Sequence, residues 1–477
     1  MSGSREQFGS KLGFILAAAG SAVGIGNLVG FPVGAAKNGG GAFLLMYAVF
    51  VVFICLPVML AEMSVGRKSQ KDPLGAYTSL SNGSRSWRIA GWLSVITPFM
   101  IAVFYLVITV WIFGYLYSSV IGNLDELANP NTFDNFIKGN TIFIYMAVVL
   151  GVVYFILQGG VKEGIEKAAK ILMPALFFML IALVIFVLTR DNAMKGVEFY
   201  LIPDFSKINA QVINGALSQA FFSLSLGMGI MITYGSYINS KADVPSSAKL
   251  VALTDTAVAF TAGLMILPAI FSFNPEVNTE ELSESSIGMI FSYLPQIFLE
   301  LQNSIGYVGA SVVASLFFLL VFFAAITSLV SIFEVPVASL MSEKGISRKP
   351  SLLLCGVLLV VFSVICALSF GHSEFFTKFV SYAGAEQSFF QVVYDVFYDT
   401  ILPLNGLLIC IFVMYRWKKH NFNAELDEGA PAFKHSLFER YVNISVSTFI
   451  PVILLGIFIN TVALKYFGIS LVAKLMG

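Results

Sequence analysis

Charged residues are scarce in this sequence. Asp, Glu, Lys and Arg make up 12% of its 477 residues, about half the share found in an average soluble domain. That shortage argues against a water-soluble globular protein. Neither sign is in excess, since 28 Lys and Arg balance 28 Asp and Glu, so no basic surplus points to nucleic acid. Histidine is rarer still: His372, His420 and His435 fall in predicted loops at unrelated positions, and nothing there supports a metal site or a His-based active centre. Cys55, Cys355, Cys366 and Cys410 each sit inside an apolar run. Neither a disulfide framework nor a zinc site is indicated, and they read as small buried hydrophobes. Residues 1–11 are polar, and the apolar stretch after them has the wrong shape for a cleaved secretory signal.

What the chain has in abundance is apolar surface, 57% hydrophobic and 14% aromatic residues. Runs free of Asp, Glu, Lys and Arg span 12–36, 38–61, 89–124, 139–161, 171–189, 208–240, 256–275, 301–333, 350–373, 400–415 and 441–464. Nearly all reach the roughly 17–25 residues that cross a bilayer core as helix. The short run 400–415 can be extended back past Asp395 and Asp399, which makes those acids membrane residues. The expectation is a polytopic all-α membrane protein with eleven spans. With residues 1–11 inside, 20 of the 28 Lys and Arg fall in cytoplasmic segments, and the region 273–305 carries five Glu and no Lys or Arg. The positive-inside rule then places the amino terminus in the cytoplasm and the carboxyl terminus outside.

Two spans are poor helices in their middles. Gly20, Gly24 and Gly26 interrupt the first, and Gly227 and Gly229 follow Ser223-Leu224-Ser225 in the sixth. Each interior glycine costs a helix about 1 kcal/mol relative to alanine. Hydrocarbon penalises frayed backbone further unless the freed groups line a cavity or bind something. Close helix packing through small residues would explain one such pair; two breaks five spans apart point to a five-plus-five inverted repeat whose broken helices meet at the bilayer midplane. The corresponding partition is a cytoplasmic segment 1–11, a first repeat 12–189, a second repeat 208–416, an eleventh helix 441–466 and an extracellular tail 467–477.

Gly24-Ile25-Gly26-Asn27, Phe31-Pro32 and Asn38-Gly39-Gly40-Gly41-Ala42-Phe43 resemble the first two helices of the neurotransmitter:sodium symporter family. Gly160-Val161, Gly164-Ile165-Glu166 and Lys170-Ile171-Leu172-Met173-Pro174 resemble its fifth helix. Phe221-Phe222-Ser223-Leu224-Ser225-Leu226-Gly227 resembles the sixth, and Ala324-Ala325-Ile326-Thr327-Ser328 the eighth. The likeness runs from about residue 5 to 340 and weakly to 465, and it is strongest to the eleven-helix bacterial hydrophobic amino-acid transporters. It implies the LeuT-type fold and sodium-coupled uptake of an amino acid across a bacterial inner membrane, by a monomer or weak oligomer.

The resemblance also implies sites for two Na+ ions. One takes the carbonyls of Gly20, Val23 and Ala324 and the hydroxyls of Thr327 and Ser328. The other uses Ala22, Asn27, Ser223 and Asp255 with the substrate carboxylate as a further ligand, and Thr254 is the alternative to Asp255. Unwound backbone suits a bare cation, because carbonyls replace its water without adding charged side chains. The shared carboxylate couples the two cargoes by linkage. For the substrate, Tyr105 matches the tyrosine that bonds the carboxylate and Phe222 the aromatic lid. The helix ends at Ser21, Ala22, Gly24 and Gly26 attract the carboxylate, while Ser225 and nearby carbonyls, with Ser223 in the same wall, take the ammonium. Ile101, Met228, Met231, Ser328 and Ile332 enclose the side chain. A methionine between two glycines makes a deformable wall, so a hydrophobic L-amino acid, aromatic or branched aliphatic, is expected.

Gly164 and Pro174, with nine residues between them at the cytoplasmic end of the fifth helix, match a pair that lets water reach the inner sodium site in similar transporters. Arg5 and Tyr237 match the cytoplasmic gate, but Phe8 stands where tryptophan is usual and Ser342 where the acidic partner of Arg5 is expected, leaving the adjacent Glu343 as its substitute. Glu62 matches a second-helix glutamate with a hydrogen-bonding role. On the outer side the family's arginine before Phe-Pro is replaced by Gly30, while its acid persists as Asp395, with Asp399 the alternative. A lone buried carboxylate there must find another cation, and the gate is expected to be sealed mainly by Tyr105 and Phe222. Animal relatives add chloride beside the substrate-linked sodium; Tyr47 and Gln219 match two of its ligands. Asp255 supplies a fixed negative charge where those relatives have a neutral residue, so transport is expected to be independent of chloride. An intramembrane enzyme would want a nucleophile with a base or facing carboxylates; Asp395 and Asp399 are an i, i+4 pair with neither beside them. A sodium channel or sensor would show repeated pore motifs or charged rings.

Overall fold

The computed structural model describes residues 5–277 and 286–469; residues 1–4, 278–285 and 470–477, and with them most of the expected extracellular tail, lie outside the described residues. Among the described residues, nine helices are long and apolar enough to cross a bilayer. They are Gly41–Ser69, Arg85–Val120, Thr141–Gln158, Val161–Leu188, Val244–Phe273, Gln302–Lys344, Arg348–Leu368, Phe389–Arg416 and Leu437–Phe467. Ahead of them a bent pair, Lys11–Ala22 and Gly26–Lys37, forms the first crossing with 54° between its halves. The sixth crossing is likewise split, into Ala210–Ser223 and Ile230–Gly235. Counted in chain order these are helices 1 to 11.

Several helices outrun the charge-free runs of the sequence. Helix 5 starts at Val161 rather than near residue 171, and helix 8 continues to Lys344. A run without charge measures the hydrocarbon core, whereas a helix keeps its backbone bonds into the headgroup layer, where Lys162, Glu166, Lys167 and Lys170 are tolerated. Helix starts follow local chemistry. The Ser10 hydroxyl accepts from the Gly13 amide at helix 1, and the Asp243 carboxylate accepts from the Ser246 amide at helix 7.

Helices 3 and 8 form the centre, with 78% and 83% of their apolar windows buried, while helices 4 and 11 bury 28% and 33% and face outward. The two breaks lie side by side within this centre. The Ser225 hydroxyl donates to the Ser21 carbonyl at 3.0 Å, and the Asn27 amide donates to Ser223 Oγ at 2.8 Å. Between helices 9 and 10 a small antiparallel hairpin pairs Val380–Tyr382 with Ala385–Gln387. Its turn residues Ala383 and Gly384 both have positive φ, the geometry that matches the twist of paired strands.

Candidate functional site

The break in helix 1 is held open by side chains rather than by helix bonds. The Gly24 amide donates to Asn27 Oδ1 at 3.0 Å, and the Ile25 amide points at the Tyr105 hydroxyl at 3.4 Å. A Cβ on Gly24 would meet Ser328 Oγ at 2.7 Å and the Tyr105 hydroxyl at 2.9 Å, so this close approach of helices 1, 3 and 8 requires glycine. In helix 6, Ser225, Gly227 and Gly229 all take positive φ, and the extended turn is pinned from both sides. The Gly227 amide donates to Glu62 Oε1 at 2.8 Å, and Asn405 Nδ2 donates to the Gly227 carbonyl at 2.8 Å. Glu62 therefore has the hydrogen-bonding placement expected of it. Asn405 was not singled out from sequence; a lone asparagine inside the apolar run of helix 10 was the available signal.

Two clusters of oxygens surround these breaks. In the first, Asn27 Nδ2 donates to Asp255 Oδ1 at 2.7 Å, Ser223 Oγ lies 2.9 and 3.0 Å from the two Asp255 oxygens, and the Tyr47 hydroxyl donates to Asp255 Oδ2 at 3.0 Å. Asn27, Tyr47, Ser223 and Asp255 are all buried, as is the adjoining Ala22. Asp255 rather than the half-buried Thr254 faces this cluster. It lies well inside helix 7, whose end is capped by Asp243 instead. Gln219 is not among its partners here: its Nε2 donates to the Gly26 carbonyl at 2.8 Å. In the second cluster the Ser328 hydroxyl lies 3.5, 3.1 and 3.3 Å from the carbonyls of Gly20, Ser21 and Val23. The Thr327 hydroxyl lies 3.1 Å from the Ala324 carbonyl. All five expected residues of the second set are thus gathered, and the Ser21 carbonyl joins them.

Between the clusters lies an enclosed space of about 10 Å³ walled by Ser21, Ala22, Gly24, Gly26, Asn27, Tyr105, Phe222, Ser223, Ser225, Met228, Ser328 and Ile332. That is room for one water, so anything larger enters only by moving these walls. Ile101 and Met231, expected in the same wall, are buried but do not line it.

A much larger cavity of about 460 Å³ opens above Tyr105 and Phe222 toward the Lys/Arg-poor end, lined also by Gly30, Gln219, Phe390 and Tyr398. Tyr398 sets its ring edge-on to Phe222 at 4.5 Å and stacks on Tyr394 at 4.5 Å. Tyr398 thus packs on Phe222 at the cavity floor, a contact the sequence reading missed; its signal was the i, i+4 tyrosine pair. Asp395 does not look across the cavity to Gly30. It is paired with Lys465 at 2.9 Å.

At the Lys/Arg-rich end Arg5 lies over the Tyr237 ring at 4.9 Å and donates to Ser236 and Ser342 hydroxyls at 2.8 and 3.0 Å. Phe8 packs edge-on against Phe14, Tyr234 and Tyr237. The expected pairing of Arg5 with Glu343 is corrected. Glu343 turns to Arg88 at the start of helix 3, at 3.6 Å, because the neighbouring Ser342 occupies the position facing Arg5. A buried ion pair beside Tyr237 joins other residues: Glu334 accepts from Tyr237 at 2.6 Å and from Arg348 at 2.5 Å. Ahead of helix 1, Glu166 of helix 5 accepts from the Gly9 amide and the Ser10 hydroxyl, at 2.5 and 2.8 Å.

The family model described as the sodium:neurotransmitter symporter family matches residues 5–135 and 130–469. The uncharacterized sodium-dependent transporter YhdH of Bacillus subtilis (strain 168) is 31% identical over 467 residues, covering 97% of this chain and 98% of that protein. An uncharacterized sodium-dependent transporter of Methanocaldococcus jannaschii is 36% identical over 375 residues, 76% of this chain and 75% of its own. Among solved structures, MhsT in complex with L-phenylalanine superposes with a TM-score of 0.80 at 36% identity, over 95% of this chain and 99% of that one.

Proposed function

The chain belongs to the sodium:neurotransmitter symporter family and has the LeuT-type fold, and on that premise we propose that it imports a hydrophobic L-amino acid with two sodium ions, without chloride. It is an integral membrane protein and a sodium-dependent symporter, not an enzyme. The Lys/Arg-rich end is the cytoplasmic one in this reading, the membrane is a bacterial inner membrane, and helices 1–5 and 6–10 are the two repeats.

The buried cluster of Asn27, Ser223, Asp255 and Tyr47 against the helix 1 break is the observation that carries the proposal. A sodium ion held by Ala22, Asn27, Ser223 and Asp255 sits beside the amides at Gly24 and Ile25, where an incoming carboxylate completes its ligands. Substrate and ion then stabilise each other's binding by the same factor. The ammonium end meets Ser225 and the carbonyls of helix 6, and the side chain displaces Met228 and Ile332. The second sodium lies among Gly20, Val23, Ala324, Thr327 and Ser328, tying helix 1 to helix 8. Support for an aromatic or branched aliphatic substrate comes from the apolar, adjustable wall and from the L-phenylalanine bound by MhsT. Asp255 supports chloride independence because a fixed carboxylate supplies the charge that a mobile anion would otherwise bring.

Purified protein in liposomes should concentrate labelled phenylalanine, tryptophan or leucine under an inward sodium gradient and continue when gluconate replaces chloride. Asp255→Asn should lose most uptake in gluconate and recover part of it with chloride. Equilibration without concentration would indicate a channel, and a parent protein that stops in gluconate would refute the anion argument.

A further inference from the structure

Helix 10 carries two acids within one wide turn, Tyr394–Ile401, and no arginine crosses the pathway to meet them because residue 30 is glycine. Their cation comes from the opposite direction. Lys465 near the end of helix 11 lies 2.9 Å from Asp395 and 2.8 Å from Asp399. Asp395 is almost fully buried, at 3% exposure. It also accepts from the Tyr382 hydroxyl of the hairpin at 2.6 Å and from Gln391 at 2.8 Å. Thr400 closes the wide turn by donating to the Asp395 carbonyl at 2.7 Å and meets the Tyr466 hydroxyl at 3.1 Å. Between the two acids along the same turn stands Tyr398, the residue that leans on the Phe222 lid.

We propose that Lys465 is the counter-cation of the outer gate, a positioning residue that neutralises Asp395 and Asp399 from the periphery and thereby holds Tyr398 against Phe222. This rests on the transport reading above. Two carboxylates on one turn repel each other strongly once removed from water. With the lysine in place the turn stays compact and its tyrosine stays over the pathway. Without it, the turn opens, Tyr398 withdraws and substrate escapes outward. The charged and titratable groups facing the pair are Lys465 and Tyr466 on helix 11, Tyr382 on the hairpin, and Tyr394 and Tyr398 on helix 10 itself. Among these Lys465 is the group whose charge offsets the acids.

The test measures the dissociation rate of labelled amino acid at saturating sodium in Lys465→Met, Lys465→Arg, and the triple variant Lys465→Met/Asp395→Asn/Asp399→Asn. Lys465→Met should release substrate at least about tenfold faster, Lys465→Arg should stay near the parent, and the triple variant should return toward it. Lowering the pH to about 5 should also slow release in Lys465→Met, because protonating one acid relieves the repulsion; a purely structural lysine would show no such recovery. As a readout that needs no substrate, Ile332→Cys places a thiol under the lid for an impermeant reagent. The native cysteines are buried, and labelling should speed up with Lys465→Met. A parent that binds no amino acid, with the labelling still faster in Lys465→Met, would refute the substrate assignment and keep the gate. Unchanged release and labelling in Lys465→Met, or no recovery in the triple variant, would overturn the proposal.

Discussion

Thr327 and Ser328 are neighbours on helix 8 whose hydroxyls point to different carbonyls, one to Ala324 of its own helix and the other across to Gly20, Ser21 and Val23 of helix 1. A hydroxyl bonded to the carbonyl a turn earlier is common in membrane helices and by itself carries little meaning; Ser328 differs because it reaches across to an unwound segment. Thr327→Val with Ser328→Ala should keep the shape and remove both oxygens, so sodium-driven uptake should vanish at normal protein abundance. Retained accumulation would remove this cluster from the mechanism. Met228 makes a different argument. It is 1% exposed and lines the space of about 10 Å³ at the centre, so a rigid ring there subtracts volume that a flexible thioether would yield. Met228→Phe should therefore shift preference from tryptophan toward valine by about 1–3 kcal/mol of discrimination. An unchanged affinity ratio would show that Met228 does not contact the substrate.

At the scale of elements, the breaks in helices 1 and 6 were legible because glycine is costly in a membrane helix and is retained there for a reason. Their partners were less so. Glu62 could be placed from its motif, but Asn405, Tyr398 and Lys465 lie on helices 10 and 11. There no local pattern distinguishes a residue facing a pathway from one facing lipid, and the contact depends on how whole helices are rotated. The hairpin 380–387 escaped the apolar-run analysis for a related reason, since it is short and mostly exposed. Glu343 was assigned by adjacency along the chain, whereas successive residues on a helix point about 100° apart, enough to send its carboxylate to Arg88. Gly30 belongs to the same scale. A Cβ there would stand 3.3 Å from the Gln219 side chain, a flexible end that can yield, and an arginine would extend into the cavity that Tyr398 also lines. Gly30→Arg should slow release of bound substrate to the outside, read as a dissociation rate; equal rates in variant and parent would contradict it.

For the whole molecule the asymmetry of its openings matters most. In the proposed orientation the vestibule of about 460 Å³ brings the outer solution down to Tyr105, Phe222 and Tyr398. On the other side, beneath Thr327, the space among Ala17, Ile165, Leu172 and Val330 is about 10 Å³. An aqueous funnel carries its bath's electrical potential with it, so in that reading most of a membrane voltage falls across the closed side, between the Thr327 and Ser328 cluster and the cytoplasm. A sodium ion arriving from outside then crosses little of the field. The step that delivers it inward moves the charge through nearly all of it, about 2.3 kcal/mol per charge for each 100 mV. In liposomes clamped with a potassium gradient and valinomycin, the maximal uptake rate should rise with inside-negative voltage while the apparent sodium affinity from outside barely moves; equal sensitivity of the two would place the field elsewhere. In the proposed orientation, a protein built this way would harvest the cell's electrical energy on its inward stroke and leave ion capture to concentration alone.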